Sequence, residues 1–390
     1  MKRQTEAVHT PFQSRDAYNA ISMPVYHTVA YEFDNAADMV DAFCGVSSAP
    51  DYSRVMNPTV TFFENKVKQL TGATRVVALN SGMAAISNTL LALAGAGRKI
   101  VTSRHLFGNT YSLITTTLAR YGVEVALCDL TDVEAVERAV TDNCCCIFLE
   151  IITNPQMEVA DLQALASVAH SHNIPLVADT TLIPFTQFSA RSLGVDIEVV
   201  SSTKYISGGA TTIGGLVIDY GAFPEFSKAI SGEMLFNLGA YMTPHVAYMQ
   251  TLGLETLDAR YRVQSSNAAT LAQRLTELSS IRRVNYLGLE SNPFYSLARR
   301  QFGESSGAMI TIELQDRESC FNFINKLKLI RRATNLFDNK SLAIHPASTI
   351  FGNFTPQQRA SMDISETTVR LSVGLEDVDD IFEDIRQALE

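Results

Sequence analysis

The sequence is short of the signatures that usually give a quick functional reading. It holds no Cys-x-x-Cys pair and no Cys/His zinc spacing, so we assign no metal and no disulfide frame. Its six cysteines stand at 44, 128, 144, 145, 146 and 320. The adjacent three, in Cys144-Cys145-Cys146-Ile147-Phe148-Leu149, are expected on a buried strand as small hydrophobes. No Gly-x-Gly-x-x-Gly follows the first predicted strand, and no Gly-x-x-x-x-Gly-Lys occurs, which argues against a nicotinamide dehydrogenase and an NTPase. Positive charge is scarce: 31 Lys and Arg against 41 Asp and Glu give a net charge of -10, so nucleic acid and anionic membrane are poor partners. The longest near-apolar run, 76–97, is broken by Asn80, Ser81, Ser87, Asn88 and Thr89 and does not read as a membrane span. The start, Met1-Lys2-Arg3-Gln4-Thr5-Glu6, has no apolar core behind its basic residues; we read no secretory signal and expect a cytoplasmic protein. Repeats and low-complexity tracts are missing too.

What is present is a folded composition, 46% hydrophobic and 18% charged, in a chain of 390 residues, too long for one compact unit. Residues 1–55 lack strong periodicity and read as an extended arm of the kind that embraces a partner subunit. Residues 56–245 read as a large domain. Its predicted strands, 76–79, 100–101, 123–127, 145–151, 174–178, 197–200 and 213–218, alternate with helices at 84–93, 110–120, 132–140 and 162–170. That alternation predicts an α/β fold with a mainly parallel, covered sheet. Residues 246–390 read as a smaller α+β domain, with strands at 308–314, 341–344 and 369–373.

Ligands of such sheets bind beyond the carboxyl ends of the strands, so the residues just after each apolar run carry the argument. Ser81-Gly82-Met83 opens a helix after a strand, where free N–H groups and the helix dipole suit a phosphate; alone, the same residues read as an N-cap. Asp179 ends another run, pointing a carboxylate at the ligand face, where it needs a cation; alone, it reads as a turn cap. Lys204, in Ser201-Ser202-Thr203-Lys204-Tyr205, sits at a strand end among small residues and glycines. Burial would depress its amine toward a nucleophile able to form a Schiff base; alone, it reads as a solvated surface group.

Together these residues resemble the pyridoxal-phosphate enzymes of cysteine and methionine metabolism, on the aspartate-aminotransferase-like (type I) fold, over nearly the whole chain. The resemblance implies pyridoxal 5'-phosphate as cofactor, held covalently by Lys204. It implies that Ser81, Gly82, Met83, Ser201 and Thr203 hold the phosphate, that Asp179 pairs with the ring nitrogen and that Asn154 stands near the ring hydroxyl. Tyr52 and Arg54 match a motif that reaches the phosphate from a neighbouring subunit, with Tyr52 a catalytic candidate. That implies at least a dimer, commonly a homotetramer of site-sharing dimers. Arg370 matches the clamp on the substrate carboxylate, with Ser341 expected beside it.

Departures from the family pattern bear on the reaction. Phe107 stands where a tyrosine usually stacks on the cofactor, Gly209 where many members have histidine, and Thr180 where asparagine is usual. Stacking survives at Phe107, but the hydroxyl is lost, unless Tyr52, Tyr111 or water substitutes for it. The stretch from Asp338 to Thr349, with Lys340 before Ser341, is similar to the O-acetylhomoserine sulfhydrylase branch. The implied reaction is γ-replacement on O-acetylhomoserine by sulfide or methanethiol, giving homocysteine or methionine plus acetate. The alternatives are methionine γ-lyase or a cystathionine γ-synthase or γ-lyase. A further alternative is a catalytically silent homologue acting as scaffold or sulfur-relay partner.

Overall fold

The computed structural model describes residues 2–9 and 18–390. Seven strands build the larger sheet: β1 (Arg75–Leu79), β2 (Lys99–Ser103), β3 (Glu124–Cys128), β4 (Cys144–Glu150), β5 (Leu176–Asp179), β6 (Ile197–Val200) and β7 (Gly215–Asp219), in the order β1-β7-β6-β5-β4-β2-β3. β7 runs antiparallel to both neighbours and every other pairing is parallel. The expected mainly parallel sheet is therefore present. Each predicted strand of this sheet appears, 197–200 with its ends unchanged and the others with ends shifted by at most two residues. The centre of the sheet is buried on both faces: all residues of β4, including Cys144, Cys145 and Cys146, are enclosed. That is why this strand reads as an unbroken apolar run rather than an alternating one.

Local chemistry starts the helices. Asn57 caps the helix Pro58–Thr71, whose first residue is proline, and Gly72 ends it at φ +68°. Asp132 and Asp161 cap Val133–Ala139 and Leu162–Ser171 through side-chain oxygens. The predicted helix at 110–120 is instead a short α-helix, Gly108–Ser112, that widens to a π turn over Leu113–Thr117 and tightens to a 3-10 turn over Leu118–Tyr121.

A second sheet, β8 (Arg283–Asn285), β9 (Met309–Glu313), β10 (Arg331–Arg332), β11 (Leu342–Ile344) and β12 (Thr368–Ser372), takes the order β10-β11-β12-β9-β8 and is antiparallel except at β10. Sequence periodicity gave no sign of β8 or β10, which are three and two residues long. The helices Leu257–Leu275, Arg317–Lys326 and Val378–Leu389 cover this sheet. Pro244–Glu255 packs instead on Pro58–Thr71 of the larger unit.

Of the expected arm, Met1 and residues 10–17 lie outside the described residues. The rest holds two helices, Arg3–Val8 and Ala36–Phe43, joined by irregular chain. Tyr18, Ile21, Val29, Phe43 and Val46 of this region are exposed. Among the described residues, no helix is long and apolar enough to cross a membrane.

Candidate active site

The carboxyl ends of β1, β4, β5 and β6 open on one cavity of about 340 Å³, closed from the other side by the second sheet. Ser81, Gly82, Met83, Phe107, Asn154, Asp179, Ser201, Thr203, Lys204 and Arg370, all singled out from the sequence, line it.

Its phosphate-sized corner is made by close approach. The helix Gly82–Leu93 starts at Ser81, whose Oγ accepts the Ala84 N–H, leaving the Gly82 and Met83 amides directed outward. A Cβ on Gly82 would lie 2.6 Å from the Cβ of Ser201, and one on Gly215 would lie 2.1 Å from the Ser81 carbonyl oxygen. Only glycine lets the helix end, the Ser201 turn and β7 meet here. The Ser201 amide donates to Thr181 Oγ1 at 2.9 Å, while its hydroxyl has no protein partner among the described residues. Thr203 Oγ1 is engaged with the backbone of Gly214: it accepts the N–H at 3.0 Å and donates to the carbonyl at 3.1 Å.

Lys204 reaches across the cavity, its Nζ donating to Asn335 Oδ1 at 2.7 Å. Burial first, and then the neighbouring Arg370 charge, pull its amine down to about 8, against the opposing pull of Asp179. Asp179 accepts the Thr181 N–H at 3.0 Å, yet burial raises its carboxyl above the usual range despite that bond and Lys204. Arg370 is buried: Nη1 donates to Asn154 Oδ1 at 3.2 Å and Nη2 to the Asn335 carbonyl at 3.1 Å, but Nε has no partner. Burial without a carboxylate beside it brings the guanidinium down to about 9. A buried cation with an orphaned donor, next to an amine of lowered basicity, is a site arranged to receive anions.

Behind the wall, buried Glu198 takes hydrogen bonds from Thr180 Oγ1 at 2.7 Å and from the Tyr220 hydroxyl, which fixes the residue after Asp179. Gly209 has φ +142°, a conformation strained for any side chain, and a Cβ there would meet the amide end of Asn339 at 2.6 Å and require it to shift.

Three expected residues are not on this wall. Ser341 is a correction. β11 and β12 pair antiparallel with Ile344 opposite Arg370, so Ser341 lies about 10 Å farther along the strand. Its hydroxyl donates to Glu376 Oε2 at 2.9 Å and accepts the Gly374 N–H at 2.9 Å. The place beside Arg370 belongs to Asn335. Tyr52 and Arg54 lie off this cavity in their own chain: Tyr52 is 42% exposed, and half-buried Arg54, 5.5 Å over its ring, donates to the Phe236 carbonyl at 2.6 Å.

Asn335, Thr181 and Glu150 are wall residues that sequence reasoning missed. Glu150 directly follows the apolar run of β4 and could have been found by the strand-end rule that found Asp179. Asn335 carries no comparable signal, because its segment is irregular.

Comparison with known proteins agrees with this geometry. Residues 4–390 match the model of the Cys/Met metabolism PLP-dependent enzyme family. The chain is 36% identical over 389 residues to an L-methionine gamma-lyase of Fusobacterium nucleatum, covering 99% of this chain and 97% of that one. A crystal structure of a protein from Campylobacter jejuni, named as an O-acetylhomoserine (thiol)-lyase and holding a pyridoxyl-lysine phosphate, superposes with a TM-score of 0.95 at 31% identity over the full length of both chains. An O-acetylhomoserine sulfhydrylase of Wolinella succinogenes is 44% identical, with a TM-score of 0.77, over 87% of this chain and 99% of its own. A match from end to end, on the fold and cavity described above, places the chain among the pyridoxal-phosphate-dependent enzymes of cysteine and methionine metabolism.

Proposed function

We propose that this enzyme carries out γ-replacement on O-acetylhomoserine, exchanging acetate for sulfide or methanethiol to give homocysteine or methionine. The observation that carries the reading is the character of the wall. Among the described residues, its ionisable side chains are Lys204, Asp179, Glu150 and Arg370, with no tyrosine, histidine or cysteine. Acetate leaves as a stable carboxylate and needs little proton donation, whereas a thiolate leaves better beside a general acid. Within one chain Phe107 cannot supply that proton, and Tyr111 is turned against Phe354, ring centroids 5.8 Å apart, which leaves a Tyr52 from a neighbouring subunit as the one phenol such a site would have.

The cavity fits pyridoxal phosphate on its own terms. The Gly82 and Met83 amides with the Ser201 hydroxyl suit a phosphate, and the raised carboxyl of Asp179 would return to its charged form against a protonated ring nitrogen. When bound, the cofactor supplies an electron sink for carbanions next to its ring. Lys204 would hold it covalently and, once displaced by substrate, move protons between neighbouring carbon atoms. Arg370 would take the substrate carboxylate, using the unpartnered Nε, with the Asn335 amide beside it. Thr203 would act mainly by bracing the Gly214 backbone of the phosphate corner. Tyr52 and Arg54 would act at the site of a neighbouring subunit, the reason for a homo-oligomer with shared sites.

Elimination from methionine is the second reading, favoured by the likeness to the Fusobacterium lyase. Incubation of the purified protein with O-acetylhomoserine plus sulfide, and separately with methionine, separates the two. Homocysteine from the first mixture is expected. Formation of 2-oxobutyrate from methionine, with no homocysteine from the first mixture, would replace the proposal with the lyase.

A further inference from the structure

Glu150 has no place in the reaction as derived so far, although it lies on the cavity wall and is buried. It ends β4 in direct register with Asp179 at the end of β5. Register partners on adjacent parallel strands project to the same face, so two buried carboxyl groups look into one cavity. Asp179 has the Thr181 N–H and the charge of Lys204 to balance it. Glu150 has one partner among the described residues, the backbone N–H of Phe107, at 2.5 Å from Oε1. Burial and then the nearby Asp179 raise the Glu150 carboxyl well above the usual range, and the Phe107 amide offsets only part of this.

The segment that Glu150 touches is otherwise held at its flanks. His105, two residues earlier, is clamped between Glu158 at 2.5 Å and Asp363 at 2.8 Å. Gly108, one residue later, fits tightly under the small-domain backbone: a Cβ there would lie 2.8 Å from the Ile350 carbonyl oxygen. Between these anchors the chain turns into the helix Gly108–Ser112, and the Phe107 side chain points into the cavity. The one bond that fixes the Phe107 amide is the bond to Glu150.

We propose that Glu150 is a positioning residue: by holding the Phe107 amide it sets the plane and depth of the aromatic ring that forms one wall of the cofactor cavity. It acts through its acceptor oxygen, from the strand end beside Asp179. The proposal rests on the cofactor-binding reading of this cavity, and titration of the unaltered protein with pyridoxal 5'-phosphate is the control for that reading.

The test is cofactor affinity of the apoprotein, with the visible circular dichroism of the bound cofactor as a report of ring environment. Glu150→Gln keeps an acceptor for Phe107 and removes the ionisable group; affinity within about twofold of the unaltered protein and an unchanged dichroic band are expected. Glu150→Leu removes the acceptor and should weaken affinity about tenfold and diminish the band, the effect of one buried amide left unpaired. In a Phe107→Leu background, where no ring remains to be placed, the same Glu150→Leu change should cost less than about twofold. Equal losses in both backgrounds would reduce Glu150 to general scaffolding and overturn the proposal. A Gln variant as weak as the Leu variant would show that an acceptor for the Phe107 amide is not what matters, and would overturn the proposal as well. Should Glu150→Leu not fold, Glu150→Asp, too short to reach the amide, takes its place with the same expected loss and the same overturning result.

Discussion

At the residue scale, two cations govern the cavity and differ in what burial does to them. Lys204 loses basicity and becomes able to react; Arg370 keeps its charge and becomes able to hold an anion. Covalent capture of the cofactor requires the free amine of Lys204. The rate of capture by the apoprotein should therefore rise about tenfold per pH unit below pH 8 and level off above it, because the amine's value is lowered to about 8. Stopped-flow absorbance after mixing with pyridoxal phosphate checks this; a rate still climbing to pH 10 would mean that burial leaves the amine unaltered. For stability the sign is opposite to that of a salt-bridged lysine. The folded state holds its proton less tightly than the unfolded chain, so apoprotein stability gains from Lys204 as pH rises from about 8 toward the ordinary lysine value of 10.5. Arg370→Lys keeps the charge but loses the planar fork and its bonds to Asn154 and Asn335. We expect KM for the amino-acid substrate to rise about 30- to 100-fold with cofactor affinity unchanged, measured by steady-state kinetics and cofactor titration.

At the scale of elements, the site depends on how closely three backbones approach. The start of the helix Gly82–Leu93, the Ser201 turn after β6 and the start of β7 meet at distances that exclude a side chain on Gly82. Gly82→Ala should push the helix end away from Ser201 and weaken cofactor binding by about 10- to 100-fold, while the thermal midpoint of the apoprotein falls by only a few degrees. Equilibrium dialysis and calorimetry on the same samples separate these effects. The strands were legible because fully buried parallel strands read as short apolar runs bounded by turn residues, as in Cys144–Glu150. The two shortest, Arg283–Asn285 and Arg331–Arg332, were not, because strands of three and two residues are too short to show a period and take their shape from neighbours.

At the scale of the molecule, exposed Tyr52 and half-buried Arg54 stand away from their own chain's cavity, beside a run of exposed apolar side chains in residues 18–52. If they serve the site of a neighbouring subunit, two inactive proteins should restore each other. Lys204→Ala and Arg54→Ala, mixed after mild dissociation and reassociation, are expected to recover about a quarter of the unaltered activity. Half of the random dimers would be mixed, each with one intact site. No recovery with confirmed subunit exchange would place Arg54 at its own subunit's surface.

The sequence alone determined the sheet class, the family and most of the wall, because strand ends, glycines and reactive residues leave local marks: Ser81-Gly82, Asn154, Asp179, Ser201 to Lys204, and Arg370. Tertiary structure alone decided which side chain stands beside Arg370. Ser341 follows the expected spacing but is turned to Glu376 by the antiparallel register, and Asn335 arrives from irregular chain. It likewise decided that Glu150 faces Asp179, since register between β4 and β5 is set by packing across the sheet. Short-range preferences act within a few residues and can be read in order. Register and burial arise between segments far apart in the chain, and they determine which groups share a charge or a proton.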